Sequence, residues 1–161
     1  MIRSRIWKFG DNVDTDQIIA SQYLLVTEPT AMLPFVFQSL DPEFAGTVKP
    51  GEIIVAGKNF GCGSSREQAA LVLKLLGISV IIAHSFGRIF FRNCINIGLP
   101  LVTMEDFSSI AGQGDEVGVD LEQGNVFYGE KVFRFPEYPP HLLAIIKSGG
   151  LIEHINTAQE D

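Results

Sequence analysis

The most chemically loaded stretch of the chain is residues 57–67, GKNFGCGSSRE. Gly57, Gly61 and Gly63 let the backbone come close to a bound molecule with no Cβ in the way. Ser64 and Ser65 add two hydroxyls, and Arg66 adds a planar fork of donors that matches a carboxylate. The segment follows an apolar run and precedes a helical pattern, and free N–H groups at such a junction attract anions. Together these residues offer a seat for a carboxylate or a phosphate. They do not make the phosphate loop of NTPases, whose lysine follows the last glycine and precedes Ser or Thr, nor the G-x-G-x-x-G dinucleotide turn. The plain alternative is a glycine-rich turn with a serine cap, since Ser64 and Glu67 fit the S-x-x-E capping box.

Elements on either side must hold that loop in place. Residues 52–57 (EIIVAG) read as a short buried strand, bounded by Pro50-Gly51. In 64–77, Ala69, Leu71, Val72, Leu75 and Leu76 form one helical face and Gly77 closes the helix. Residues 78–83 (ISVIIA) are a second apolar strand. Strand, helix and strand within about thirty residues make a βαβ unit, whose parallel strands are buried on both faces. Ligands in such sheets bind at the carboxyl ends of the strands, where the 57–67 loop lies.

A second helix is expected over 86–97 and a third parallel strand over 99–103. Residues 1–10 suggest a short strand, 11–22 a loop entering a helical turn, and 23–50, with four prolines, an uneven cover with a short helix over 32–40. Beyond Gly112 the pattern changes. Residues 116–121 and 125–135 alternate, with a turn at Tyr128-Gly129-Glu130, and read as antiparallel. A last helix over 139–147 stops at Gly149-Gly150. The fold class is α/β, a small parallel sheet with βαβ units plus an antiparallel sheet, in a single domain over 1–161.

Composition narrows the function. The 161 residues carry 12 Lys plus Arg against 19 Asp plus Glu, a net charge of −7, which argues against a nucleic-acid partner. Cys62 and Cys94 are the only cysteines, too few for the thiolate set of an iron–sulfur cluster or zinc site. No cofactor or metal is therefore expected on this chain. MIRSRIWKFG has no apolar run, so no secretory signal is expected, and no stretch reaches the ~18 apolar residues of a membrane helix. Two free thiols without a signal point to the cytoplasm. Cys62 at a helix start is placed to have a lowered thiol pKa, or else to fill a tight loop. Cys94 reads as core and His84 as a capping or packing residue. Arg88 and Arg92, one turn apart, could face a partner or meet carboxylates.

Three motifs, GDNVDTDQIIA at 10–20, GKNFGCGSSREQAA at 57–70 and GRIFFRNCINIGLP at 87–100, resemble the small subunit of the aconitase-like hydro-lyases, of the 3-isopropylmalate dehydratase type. The resemblance covers nearly the whole chain. It implies a swivelling β/β/α domain and a separate large subunit, as heterodimer or heterotetramer, that carries a [4Fe–4S] cluster with one open iron. Ser64 and Asp16 become the catalytic residues. Ser64 is the base that removes a proton α to a carboxylate, while the partner's iron takes the departing hydroxyl. Asp16 orients the site or holds Arg66, unless it and Asp14 are ordinary cap or turn aspartates. Ser65 and Arg66 bind a carboxylate of a small dicarboxylate substrate.

The family also places a tetrapeptide beginning Tyr-Leu against the variable end of the substrate, here Tyr23-Leu24-Leu25-Val26. Homoaconitase-type members have Arg third; this chain has Leu25, with Val26 next. Such an apolar surface suits an isopropyl group and penalises a second distal carboxylate, unless Leu25 is merely packed in the core. The expected reaction is isomerisation of 2-isopropylmalate to 3-isopropylmalate in leucine biosynthesis, by a complex active only with its large subunit. A homoaconitase or 2,3-dimethylmalate dehydratase small subunit is the alternative, and a carboxylate-binding module without chemistry is the alternative of another class. Residues 23–29, with an apolar patch over 24–26, are expected to be mobile until the complex closes over substrate.

Overall fold

A computed structural model describes residues 1–160. Seven strands form one sheet in the order β4-β3-β2-β1-β5-β6-β7. β1 (Ile2–Lys8), β2 (Ile53–Ala56), β3 (Val80–Ala83) and β4 (Leu101–Thr103) run parallel. β5 (Glu116–Asp120), β6 (Asn125–Tyr128) and β7 (Lys131–Arg134) continue antiparallel. The two sheet types expected from the sequence thus meet on a single strand. The second half of β1 pairs with β2, Ile6 opposite Ile53 and Lys8 opposite Val55. Its first half pairs with β5, Ile2 opposite Val119 and Arg5 opposite Glu116. Trp7 locks the join by donating its indole N–H to the buried Glu52 carboxylate at 2.7 Å.

Every residue of β2 and β3 is buried, as continuous Val/Ile/Ala runs require in a sheet covered on both faces. One face packs Ile54 and Ile81 against α3 (Glu67–Leu75) and α4 (Arg88–Asn96), through Ala69, Val72, Leu73, Phe90 and Cys94. The other packs Val55, Val80 and Ile82 against Phe107 of α5 (Phe107–Ile110) and against Val117, Val119 and Val126 of the antiparallel half. Burying one such aliphatic side chain is worth about 1.5–3 kcal/mol, so the βαβ core is the stable frame of the molecule. Short helices α1 (Thr15–Ile18) and α2 (Phe44–Thr47) pack beneath the first face, and α6 (Pro140–Lys147) and α7 (Leu151–Glu160) lie beside α4.

Several boundaries differ from those read in the sequence. α3 begins at Glu67 with Arg66 as its N-cap and no capping side chain, so the Ser64–Glu67 capping box is not formed. Gly63 at φ +94° and an extended Arg66 turn 64–65 away from the helix axis. The capping box lies instead at Asp14 and Gln17, where Gln17 N–H donates to Asp14 Oδ1 at 2.8 Å and Asp14 N–H to Gln17 Oε1 at 3.0 Å. In place of a helix over 32–40 there is a 3-10 turn, Pro29–Phe35, cut short by Pro34 and by Phe37 at φ +57°. β3 and β4 each start two residues later than expected, at Val80 and at Leu101 after Pro100, which has no N–H to give. α7, beyond the two glycines, carries no expectation from the sequence.

Candidate active site

Three loops leave the carboxyl ends of β1, β2 and β3 and are stitched together. From the first, Asn12 N–H donates to Lys58 C=O at 2.7 Å, and Asp11 Oδ1 accepts the Lys58 N–H at 2.7 Å. Val13 C=O accepts the Gly61 N–H at 2.7 Å, and Thr15 N–H donates to Cys62 C=O at 2.9 Å. From the third, Ser85 C=O accepts the Phe60 N–H at 3.0 Å and Ser85 Oγ accepts the Asn59 N–H at 2.9 Å. Gly61 is obligatory here. It sits at φ +81°, and a Cβ on it would lie 2.2 Å from the Phe90 ring.

The loop so held exposes Ser64 and Ser65, and neither hydroxyl has a hydrogen-bond partner among the described residues. The six successive amides from Gly63 to Gln68 likewise find no acceptor among them. Oriented, unspent N–H groups beside two free hydroxyls are what an anion or an oxyanion needs. Arg66 stands next to them with its side chain 17% exposed. Its Nη1 donates to Asp16 Oδ1 at 2.9 Å and to Ile19 C=O at 3.0 Å, which leaves Nε and Nη2 for a ligand. Ser64, Ser65 and Arg66 line one cavity of about 320 Å³ together with Thr15, Arg88 and Asn93.

Asp16 is not in that cavity wall. It is 59% exposed and reaches the site only through Arg66, while also accepting the Ser21 N–H at 3.3 Å. Leu25 and Val26 are not brought to the cavity either. Leu25 is 93% exposed and Val26 is exposed, so core packing of Leu25 does not occur. The apolar patch expected over 24–26 is split: Leu24 packs on the core, and Tyr23 stacks on Phe35 at 4.1 Å and donates its hydroxyl to Gln38. Sequence reasoning passed over Thr15 and Asn93; the first is hidden between the two aspartates of DTD, and only folding brings it to Ser64. Arg92 lines a separate cavity of about 540 Å³ with Phe86, Phe91 and Leu142, and Arg88 borders both.

The Cys62 thiol pKa is raised, not lowered: partial burial and the Asp14 carboxylate both disfavour the thiolate. Cys94 lies fully buried, and its pKa is pushed well above the usual thiol range. His84 stands 4.0 Å from Asp106 at the end of β3. No group of three or more His, Cys, Asp or Glu that could hold a metal occurs among the described residues, and this donor set does not fit an iron–sulfur cluster. No helix among them is long and apolar enough to cross a membrane.

A mixed α/β sheet with a glycine-serine-arginine loop at the carboxyl ends of its parallel strands defines the class, and a family model described as the aconitase C-terminal domain matches residues 38–106. The isopropylmalate/citramalate isomerase small subunit of Methanocaldococcus jannaschii is 49% identical over 158 residues, 96% of this chain and 94% of that one. The 3-isopropylmalate dehydratase small subunit of Aquifex aeolicus is 50% identical over 156 residues, 94% and 92% of the two chains. The methanogen homoaconitase small subunit of Methanothermobacter thermautotrophicus is 48% identical over 157 residues, 96% and 90%. The crystal structure of 3-isopropylmalate dehydratase from Methanocaldococcus jannaschii matches with a TM-score of 0.91 at 39% identity, over 98% of this chain and 95% of that one. The chain belongs to the family of 3-isopropylmalate dehydratase small subunits, within the aconitase-like hydro-lyases.

Proposed function

We propose that this chain is the small subunit of a two-subunit hydro-lyase that converts 2-isopropylmalate to 3-isopropylmalate in leucine biosynthesis, working in the cytoplasm and only with its large subunit. The observation that carries the proposal is the run of unspent amides, Gly63 to Gln68, around the free Ser64 hydroxyl. A serine hydroxyl is too weak an acid to serve as a base unaided. The unspent N–H groups of its own loop and the neighbouring guanidinium are the groups that would stabilise the alkoxide that removes the substrate proton. Arg66, steadied through Nη1, offers its free donors to one substrate carboxylate, and Ser65 donates its hydroxyl to the same group. The proton passes to the Ser64 alkoxide as the carbon–carbon double bond forms and the hydroxyl departs, giving an alkene diacid and a hydroxide that takes a proton from solvent to become water. Re-addition of water with hydroxyl on the other carbon returns the proton and completes the isomerisation.

The donor set of this chain leaves the [4Fe–4S] cluster to the large subunit, and no step on this chain runs through it. Leu25 favours isopropylmalate over a substrate with a distal carboxylate: exposed and not held in the core, it is free to meet substrate when the complex closes. The test is anaerobic co-purification with candidate large subunits. Turnover of 2-isopropylmalate should appear only in the complex, and Ser64→Ala should abolish it by at least three orders of magnitude with assembly intact. Retention of more than roughly a tenth of the activity, about 1.4 kcal/mol, would remove Ser64 as the base.

A further inference from the structure

The residues that matter most are the least tethered. From Gly63 to Ser65 the chain is exposed, and among the described residues one hydrogen bond holds it: Thr15 Oγ1 donates to Ser64 C=O at 2.7 Å. The donor is rigid. Thr15 is 2% exposed, its N–H is fixed on Cys62 C=O and its C=O accepts the Ile19 N–H at 3.0 Å. The Asp14–Gln17 capping box locks the same turn. A β-branched side chain has few χ1 options, so the hydroxyl is aimed before substrate arrives. The two loops also touch directly, since a Cβ on Gly63 would lie 3.3 Å from Asp14 Cβ and 3.7 Å from Thr15 Oγ1.

That bond does more than fasten a loop. The peptide between Ser64 and Ser65 is planar and trans, so its N–H points opposite to its C=O. Holding Ser64 C=O on the buried Thr15 hydroxyl therefore also fixes Ser65 N–H, on the opposite side of the peptide, in a loop that lines the cavity with Thr15 itself. We propose that Thr15 is a positioning residue: its hydroxyl holds the Ser64–Ser65 peptide in the one orientation that presents Ser65 N–H to the reacting anion and fixes the Cα–Cβ direction of Ser64. Without it the peptide is free to flip, and a flipped peptide puts a carbonyl where a donor is needed. Asn and Asp would cap a turn as well as Thr does; a short hydroxyl at this buried position is what the Ser64 carbonyl needs.

The inference rests on Ser64 acting as the base, and the experiment separates the two. In the reconstituted complex, Thr15→Val, which keeps the shape and removes the donor, should lower kcat at least tenfold and leave KM within threefold. Thr15→Ser, which keeps the donor, should restore kcat to within threefold of wild type. Thr15→Val in a Ser64→Ala background should cost nothing further. If Ser64→Ala itself retains activity, the reading of the reaction falls. If Ser64→Ala is inactive but Thr15→Val turns over like wild type, or Thr15→Ser is as poor as Thr15→Val, the positioning role falls alone. Should Thr15→Val not assemble, Thr15→Ala carries the same test, and failure of both to assemble would make Thr15 a structural residue and overturn the proposal.

Discussion

The geometry predicts that Asp16 acts on the substrate only through Arg66, and a double-mutant cycle tests this. The pair meets at 2.9 Å, but Asp16 is 59% exposed against 17% for Arg66. A hydrogen bond to a charged group is worth ~1.5–3 kcal/mol in a protected setting. Solvent screening on the Asp16 side brings this down toward the exposed-pair value, up to about 1 kcal/mol. Arg66 also keeps its bond to Ile19 C=O when Asp16 is removed. Asp16→Ala should therefore lower kcat/KM about fivefold, the equivalent of about 1 kcal/mol, chiefly through KM. Arg66→Ala removes the proposed carboxylate partner and should cost about two orders of magnitude. The double variant should be no worse than Arg66→Ala within about twofold, because a lost guanidinium leaves Asp16 nothing to hold. Initial rates of the complex under anaerobic conditions supply the four numbers. Multiplicative losses, or a fall of a thousandfold for Asp16→Ala alone, would show Asp16 touching the chemistry directly and refute the reasoning.

Two further outcomes follow from the same geometry. Leu25→Arg places a guanidinium on the exposed tetrapeptide; the ratio of kcat/KM for isopropylmalate to that for homoaconitate should fall at least tenfold, and a ratio unchanged within about threefold, under 1 kcal/mol, would show that Leu25 does not meet the substrate. Burial and the Asp14 carboxylate raise the Cys62 pKa, so its alkylation by iodoacetamide should be slow near neutral pH and climb as pH rises through and beyond the usual thiol range; Asp14→Asn keeps the cap, removes the charge and should speed the reaction severalfold at pH 8, and an unchanged rate by mass spectrometry would leave burial as the whole cause.

What the sequence disclosed, and what it withheld, divides along the range of the interactions. The 57–67 loop was legible because its information is local: glycines, hydroxyls and one arginine crowded between an apolar strand and an amphipathic helix. The parallel β2, β3 and β4 were legible because each follows the last through one helix, whereas the pairing of β1 with β2, across the long stretch that separates them, was not. The capping box was misread for a physical reason. Ser64-x-x-Glu67 precedes a long apolar face and Asp14-x-x-Gln17 does not, yet Gly63 in the left-handed region turns Ser64 out, and the four-residue α1 needs its cap the more for being short. That exchange has a consequence for chemistry. A serine used as a cap would spend its hydroxyl on a backbone N–H; left uncapped, α3 keeps both its amides and the Ser64 hydroxyl for an incoming anion. The tether from Thr15 spans 49 residues, and no spacing rule reaches that far. Leu25 is the converse case: its tetrapeptide was legible, yet it lies exposed outside the cavity, whose apolar lining is Ile89 and Phe90 instead. On the proposed reading, Ser64, Ser65 and Arg66 supply the polar side of a pocket for a branched dicarboxylate. On that reading, Leu25 and Val26 meet substrate only when a second surface closes on the cavity, and the proposed dependence on a large subunit follows from where this chain places these two residues.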